Sequence, residues 1–229
     1  MPNNKTLSRK IIITDDGSHS LFVPELNENY HSTHGAKQEA EHIFIKDALA
    51  YASEKIKSLN ILEIGFGTGL NAFLSLQYAR ANNLEINYYG IEKYPIIEKE
   101  YRALNFPSSR EGEQAVFMKL HEAIWEQTAN IESCFKLKKN QADFKEMNLP
   151  SDYFDVVYFD AFGPDVQPEL WSVEIFQIIH KSMKIGGVMT TYSVKGDVRR
   201  AMKSVGFEVK KIPGPPGKRE ITRAIKAVF

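Results

Sequence analysis

The chain has 229 residues, 29 Lys or Arg against 29 Asp or Glu, and 43% apolar residues, which suits one α/β domain with additions and a sizeable core. A single cysteine, Cys134, excludes an internal disulfide. No apolar run approaches a membrane span and the first ten residues lack the apolar stretch of a secretory leader, so a soluble, cytoplasmic protein is expected.

From the N-terminus, residues 11–14 and 21–23 are apolar runs around Asp15-Asp16-Gly17-Ser18, the pattern of a β-hairpin. Tyr30, His31 and His34 follow in a loop expected to cover the site, with Tyr30 and His31 toward substrate. His31, His34 and His42 have no Cys or further His to complete a ligand set, so no metal is expected. Residues 36–57 read as helix, in one piece or two, with Ile43, Phe44, Ala48, Leu49 and Ile56 on its apolar face. Residues 1–58 are thus expected to form a hairpin-and-helix extension packed on a core of 59–229.

The core centres on 61–71, ILEIGFGTGLN. A short apolar run meets Gly65, Gly67 and Gly69, and helical spacing begins at Leu70. Strand, glycine turn and helix N-terminus in succession make a nucleotide-cofactor site. The dinucleotide fingerprint would place its third glycine at position 70, where Leu70 stands. The pattern is instead E-x-G-x-G-x-G, which resembles motif I of the Rossmann-like methyltransferases that bind S-adenosylmethionine. Glu63 beside such a loop suits an ammonium better than a phosphate. Residues 86–92 form a second strand ending in Glu92, an acid placed to accept ribose hydroxyls. Asn71 and Lys93 complete this group of candidate cofactor contacts.

Residues 95–104 suit a helix with Pro95 in its first turn. The stretch 107–133 is less legible, with a helix expected over 120–127. A third strand is expected over 135–140, followed by Asp143, a candidate for the adenine amine or simply a turn former. The run 155–159 reads as a central strand ending in Asp160-Ala161-Phe162-Gly163-Pro164. Ligands of open α/β sheets bind beyond the carboxyl ends of the strands, so the catalytic group is sought here. A helix over 173–184 is expected to end at Gly186-Gly187, with strand 188–192 after it. A helix over 197–205 ends at Gly206, and 207–212 pairs with 221–228 as a terminal hairpin. The expected fold is a Rossmann-like S-adenosylmethionine-dependent methyltransferase fold: a seven-stranded, mostly parallel sheet with a C-terminal antiparallel hairpin, plus the N-terminal extension.

Charge is unevenly placed. Residues 195–229 hold ten Lys or Arg and three acids, a net +7, which leaves −7 for the rest. This suits a polyanionic partner, although scattered surface lysines give the same count. For methyl transfer to an amine, Asp160 would hold the amine, orient its lone pair and take its proton, with Phe162 stacking on cofactor or substrate. A structural acid is the plainer alternative for Asp160.

The segments GFGTGLN (65–71), IEKYP (91–95), FDAFGPDVQPELW (159–171), YSVKGDVRRAM (192–202), GPPGKRE (214–220) and YHSTHGAKQEAEHIFI (30–45) together resemble the methyltransferase half of the bifunctional MnmC enzymes and its free-standing version, MnmD. The resemblance implies methylation, from S-adenosylmethionine, of the aminomethyl nitrogen on a tRNA wobble uridine. It places Asp160 by the reactive amine, Gly65, Gly67 and Gly69 in the cofactor loop, and Glu92 at the ribose. Arg199, Arg200, Lys218 and Arg219 would then meet anticodon stem-loop phosphates. Other enzymes that aminomethylate the wobble uridine would supply the substrate. The FAD-dependent oxidase half of the bifunctional form has no counterpart in this length, so methylation alone is expected. Competing readings are a methyltransferase of a small amine or a protein, an aminopropyltransferase, and a non-catalytic RNA-binding module.

Overall fold

The computed structural model describes residues 7–108 and 110–227. Residues 1–6 of the N-terminal segment and Val228 of the last expected strand lie outside the described residues. The hairpin forms as β1 (Lys10–Ile13) and β2 (His19–Val23), with a short third strand, β3 (Glu28–Asn29), added to make a small antiparallel sheet. Its turn closes through Thr14 N to Ser18 O at 2.9 Å, and the Asp16 carboxylate accepts from Ser18 N at 2.9 Å.

The next helix runs unbroken through α1 (Ala36–Ala40), a π-helical stretch (Glu41–Ala50) and a last turn, α2 (Tyr51–Ser53). It stops short of Ile56, which is left exposed. The widened middle buries Ile43, Phe44, Ile45, Ala48 and Leu49.

The main sheet then builds from β4 (Ser58–Ile64), α3 (Leu70–Asn82), β5 (Glu85–Glu92), α4 (Glu98–Arg102), α5 (Glu113–Glu122), β6 (Thr128–Glu132) and β7 (Phe135–Gln141). It continues with β8 (Phe154–Phe159), α6 (Val173–Ser182), β9 (Met183–Thr191), α7 (Gly196–Ser204), β10 (Phe207–Pro213) and β11 (Glu220–Lys226). The strand order is β10-β11-β9-β8-β4-β5-β7-β6. Strands β7, β5, β4, β8 and β9 are parallel and the rest antiparallel.

Among the described residues the sheet has eight strands, not the seven expected. The extra one, β6, lies antiparallel on β7 at the edge. Only Ile131 of its five residues is buried, so no apolar alternation announced it. The helix expected over 120–127 lies instead at Glu113–Glu122, and α4 starts at Glu98, beyond Pro95. Gly186-Gly187 does not end a helix; both residues lie inside β9, where pairing with β8 slips register between Phe154 and Val156.

Alternate residues of the central strands feed two cores, as the two-residue period of a strand requires. Ile61, Val156 and Tyr158 join Ile43, Phe44, Phe73 and Phe117 on one face. Leu62, Ile64, Val157 and Phe159 join Ile175, Phe176, Ile179 and Met202 on the other. β5 and β8 flank β4 on opposite sides, so the strand order reverses at β4 and opens a crevice at its carboxyl end.

Candidate functional site

The tips of β4, β5 and β8 are held together by backbone bonds. Gly65 N and Phe66 N both donate to Ile91 O at 3.0 Å, and Asp160 N donates to Ile64 O at 3.0 Å. A Cβ on Gly65 would lie 2.5 Å from the Asp160 carbonyl oxygen, and its φ is +91°. Only glycine permits that approach. Gly67 lies under Tyr30 in the same way, with φ +49° and 3.0 Å from a ring carbon to the position of a Cβ.

Above this junction lies a cavity of about 440 Å³, within the range of cofactor and ligand pockets. It brings together Gly65, Gly67, Asn71, Glu92, Lys93, Asp143, Asp160 and Phe162 from the core, Tyr30 and His31 from the N-terminal segment, and Lys218 from the last hairpin. Arg199, Arg200 and Arg219 lie outside it, and Gly69 sits behind the loop as the residue that starts α3.

Glu63 departs from its expected place. It is fully buried beneath the cavity and does not line it. Burial, with the Asp160 charge added, pushes its carboxyl well above the usual range. Enclosed beneath the cavity, Glu63 does not meet a ligand there directly as the sequence reading expected, and reaches the cavity through Asn71. Its partner is Asn71, whose Nδ2 donates 2.8 Å bonds to both Glu63 Oε1 and Asp160 Oδ2. Burial at the cavity floor raises the Asp160 carboxyl to about 7, with the nearby Glu39 charge also raising it and the Asn71 bond and Lys218 lowering it.

Glu92 is oriented by backbone amides: Gly67 N donates to Oε2 at 3.0 Å and Tyr94 N to Oε1 at 2.7 Å. Each oxygen keeps a lone pair for a ligand. Asp143 accepts from Lys93 Nζ at 2.9 Å and from Lys145 N at 3.1 Å. Phe162 meets Tyr30 edge-on, centroids 5.3 Å apart. His31 Nε2 lies 2.8 Å from Thr68 Oγ1, and burial lowers its pKa to about 4, so the ring is neutral.

Several residues of this site carried no separate signal in the sequence. Arg9, with a side chain 1% exposed, donates to the Tyr30 hydroxyl at 2.8 Å and pairs with Glu100 at 3.2 Å, fastening the N-terminal segment over the cavity. His121 supports the glycine loop from behind: its Nε2 bonds to Thr68 O at 3.1 Å and its ring stacks on Tyr101. Glu39 and Tyr192 also line the cavity; both fall inside segments quoted above, but neither has a spacing that marks it. Among the described residues no group of three His, Cys, Asp or Glu is placed to hold a metal, and no helix is long and apolar enough to cross a membrane.

Comparison with known proteins agrees with this geometry. The sequence profile of a family described as S-adenosyl-L-methionine-dependent methyltransferase matches residues 98–227. The tRNA 5-methylaminomethyl-2-thiouridine biosynthesis bifunctional protein MnmC of Cupriavidus metallidurans is 28% identical over 228 residues, covering 93% of this chain and 33% of that protein. Its counterpart in Cupriavidus necator is 30% identical over 216 residues, covering 89% and 32%. The chain therefore spans about a third of the length of these relatives. Among solved structures, MnmC2 from Aquifex aeolicus superposes with a TM-score of 0.79 at 28% identity, over 98% of this chain and 73% of that one. Spermidine synthase from Thermotoga maritima shares the fold, with a TM-score of 0.57 at 14% identity over 97% and 75%.

Proposed function

Because the chain belongs to the S-adenosyl-L-methionine-dependent methyltransferase family, we propose that it methylates the aminomethyl nitrogen on the wobble uridine of tRNA, giving 5-methylaminomethyl-(2-thio)uridine. The observation that carries this reading is Asp160: a carboxyl at the cavity floor, tied through Asn71, at the strand tip that also abuts the glycine loop. The likeness to the MnmC relatives supports the choice of acceptor.

The cavity fits the cofactor. Gly65 and Gly67 leave room for a ligand on the loop, and Asn71 Oδ1 is a buried acceptor without a partner. Glu92 presents fixed carboxylate lone pairs to the ribose hydroxyls, with Asp143 and Lys93 farther along the same rim. S-adenosylmethionine, when bound, supplies an electrophilic methyl group. The chain's own work is then alignment and proton handling. Asp160 accepts a hydrogen bond from the acceptor ammonium, takes its proton and leaves the nitrogen lone pair directed at the methyl group. A carboxyl that titrates near 7 is matched to that task. In this reading residues 1–58 are an extension that roofs the site, residues 59–229 are the catalytic unit, and aminomethyl-tRNA comes from other enzymes.

The RNA-facing surface is narrower than the basic count implied. Arg199 is partly buried and donates to Val194 O at 3.2 Å, and Lys218 is paired inside the cavity mouth. Arg200 and Arg219 are exposed and are the better candidates for phosphate contacts. Transfer of labelled methyl from S-adenosylmethionine into tRNA from cells lacking this modification tests the reading. Label in tRNA, absent with Asp160→Asn, supports it; label only in small amines or protein removes tRNA as acceptor.

A further inference from the structure

The Lys218 ammonium lies 3.2 Å from Glu39 Oε1 and 5.3 Å from the centroid of the Tyr192 ring. The Glu39 side chain is 14% exposed, and its other oxygen accepts from Ser32 N at 2.9 Å. All three residues line the same cavity as Asp160. A fixed carboxylate beside an aromatic face is a receptor for an ammonium ion. The hairpin loop that carries Lys218 is seated firmly: a Cβ on Gly217 would lie 2.2 Å from the His34 ring, and His42 Nε2 lies 3.0 Å from Pro213 O. Lys218 is thus held at the mouth by the chain just before it, and its charge is delivered to Glu39.

We propose that Glu39 and Tyr192 form the entry site for the acceptor's ammonium group, ahead of its transfer to Asp160, and that Lys218 occupies this entry site as an internal substitute until the acceptor displaces it. The inference rests on the reading that the acceptor is an amine. Exchange of one cation for another leaves the net charge of the site unchanged, so the nearly buried Glu39 is not left unpaired during entry. It also frees Lys218 at the cavity mouth, where a polyanionic substrate would arrive. A neutral acceptor cannot make this exchange, so the arrangement selects for charged amines.

The test uses the full chain saturated with S-adenosylhomocysteine and titrated with butylammonium, a probe that shares only the charged amine. Butanol serves as the neutral control, and binding is followed by calorimetry or NMR shifts. Lys218→Met is expected to bind butylammonium at least fivefold more tightly than the unmodified chain. Adding Glu39→Gln to Lys218→Met is expected to cost at least tenfold, with butanol indifferent to both changes. Saturation with S-adenosylhomocysteine confirms that each variant is folded. Equal butylammonium affinity with and without Lys218, or no loss on adding Glu39→Gln, overturns the proposal even if tRNA is methylated. The expected selectivity upholds it even if tRNA is not.

Discussion

Asp160 carries the chemistry on this account, and its environment sets how activity follows pH. Burial holds its carboxyl near 7, and the proton acceptor must be ionised, so turnover is expected to rise with pH through about 7 before other groups intervene. Lys218 lowers that value and Glu39 raises it. Lys218→Met should therefore move the rising limb to higher pH and Glu39→Gln to lower pH in pH–rate profiles. Stability runs the opposite way. The unfolded carboxyl ionises near 3.8 while the native one keeps its proton to about 7. Its contribution to stability is present below about 4 and is lost as pH rises through 7. Asp160→Asn should keep cofactor binding and lower turnover by roughly a hundredfold or more, the usual scale for a lost proton acceptor; unchanged turnover would remove Asp160 from the mechanism. Glu63 is enclosed and burial raises its carboxyl well above the usual range, so it should tolerate Gln: Glu63→Gln is expected to shift stability by less than about 1 kcal/mol in thermal unfolding. The sequence showed that an acid stands at position 63 but not that it faces inward. Inside-or-outside at a strand end depends on what packs there, and Asn71, eight residues on, decides it.

At the level of elements, the glycine loop and the strands around it were legible because their constraints are local. A buried strand, three glycines and a helix start are written in consecutive residues. The loop's intolerance is correspondingly sharp: Gly65→Ala pushes a Cβ to 2.5 Å from the Asp160 carbonyl oxygen at φ +91°. Loss of measurable cofactor binding by calorimetry is expected. The edge strand β6, the π-helical stretch and the glycines within β9 were not legible. β6 has one buried residue and is recruited by the edge of β7, and the π-helical stretch takes its form from the sheet face it covers. Arg9 belongs with these tertiary features, because its partners lie at Tyr30 and Glu100. Arg9→Ala leaves a nearly buried Glu100 without its cation. It should cost about 3 kcal/mol of stability, read as a lower denaturant midpoint.

At the scale of the whole molecule, the net charge of zero conceals a division of labour. The C-terminal basic residues separate into those drawn into pairs with a largely buried lysine, such as Lys218 with Glu39 and Lys226 with Asp152, and those presented outward, such as Arg219 and Arg200, whose pair with Asp197 lies open to solvent. Composition alone could not make that division, since it depends on which acids the fold brings alongside. Arg200→Ala combined with Arg219→Ala is expected to weaken tRNA binding and reduce the slope of log affinity against log salt by about 1.5. An unaltered slope would move the RNA surface elsewhere. Nucleoside mass analysis of tRNA from cells lacking the modification, after incubation with the protein and S-adenosylmethionine, tests the proposed reaction at its product. The expected result is that 5-aminomethyl-(2-thio)uridine gains one methyl group and that no other nucleoside changes. A protein that binds S-adenosylmethionine yet leaves every tRNA nucleoside unmethylated would contradict it.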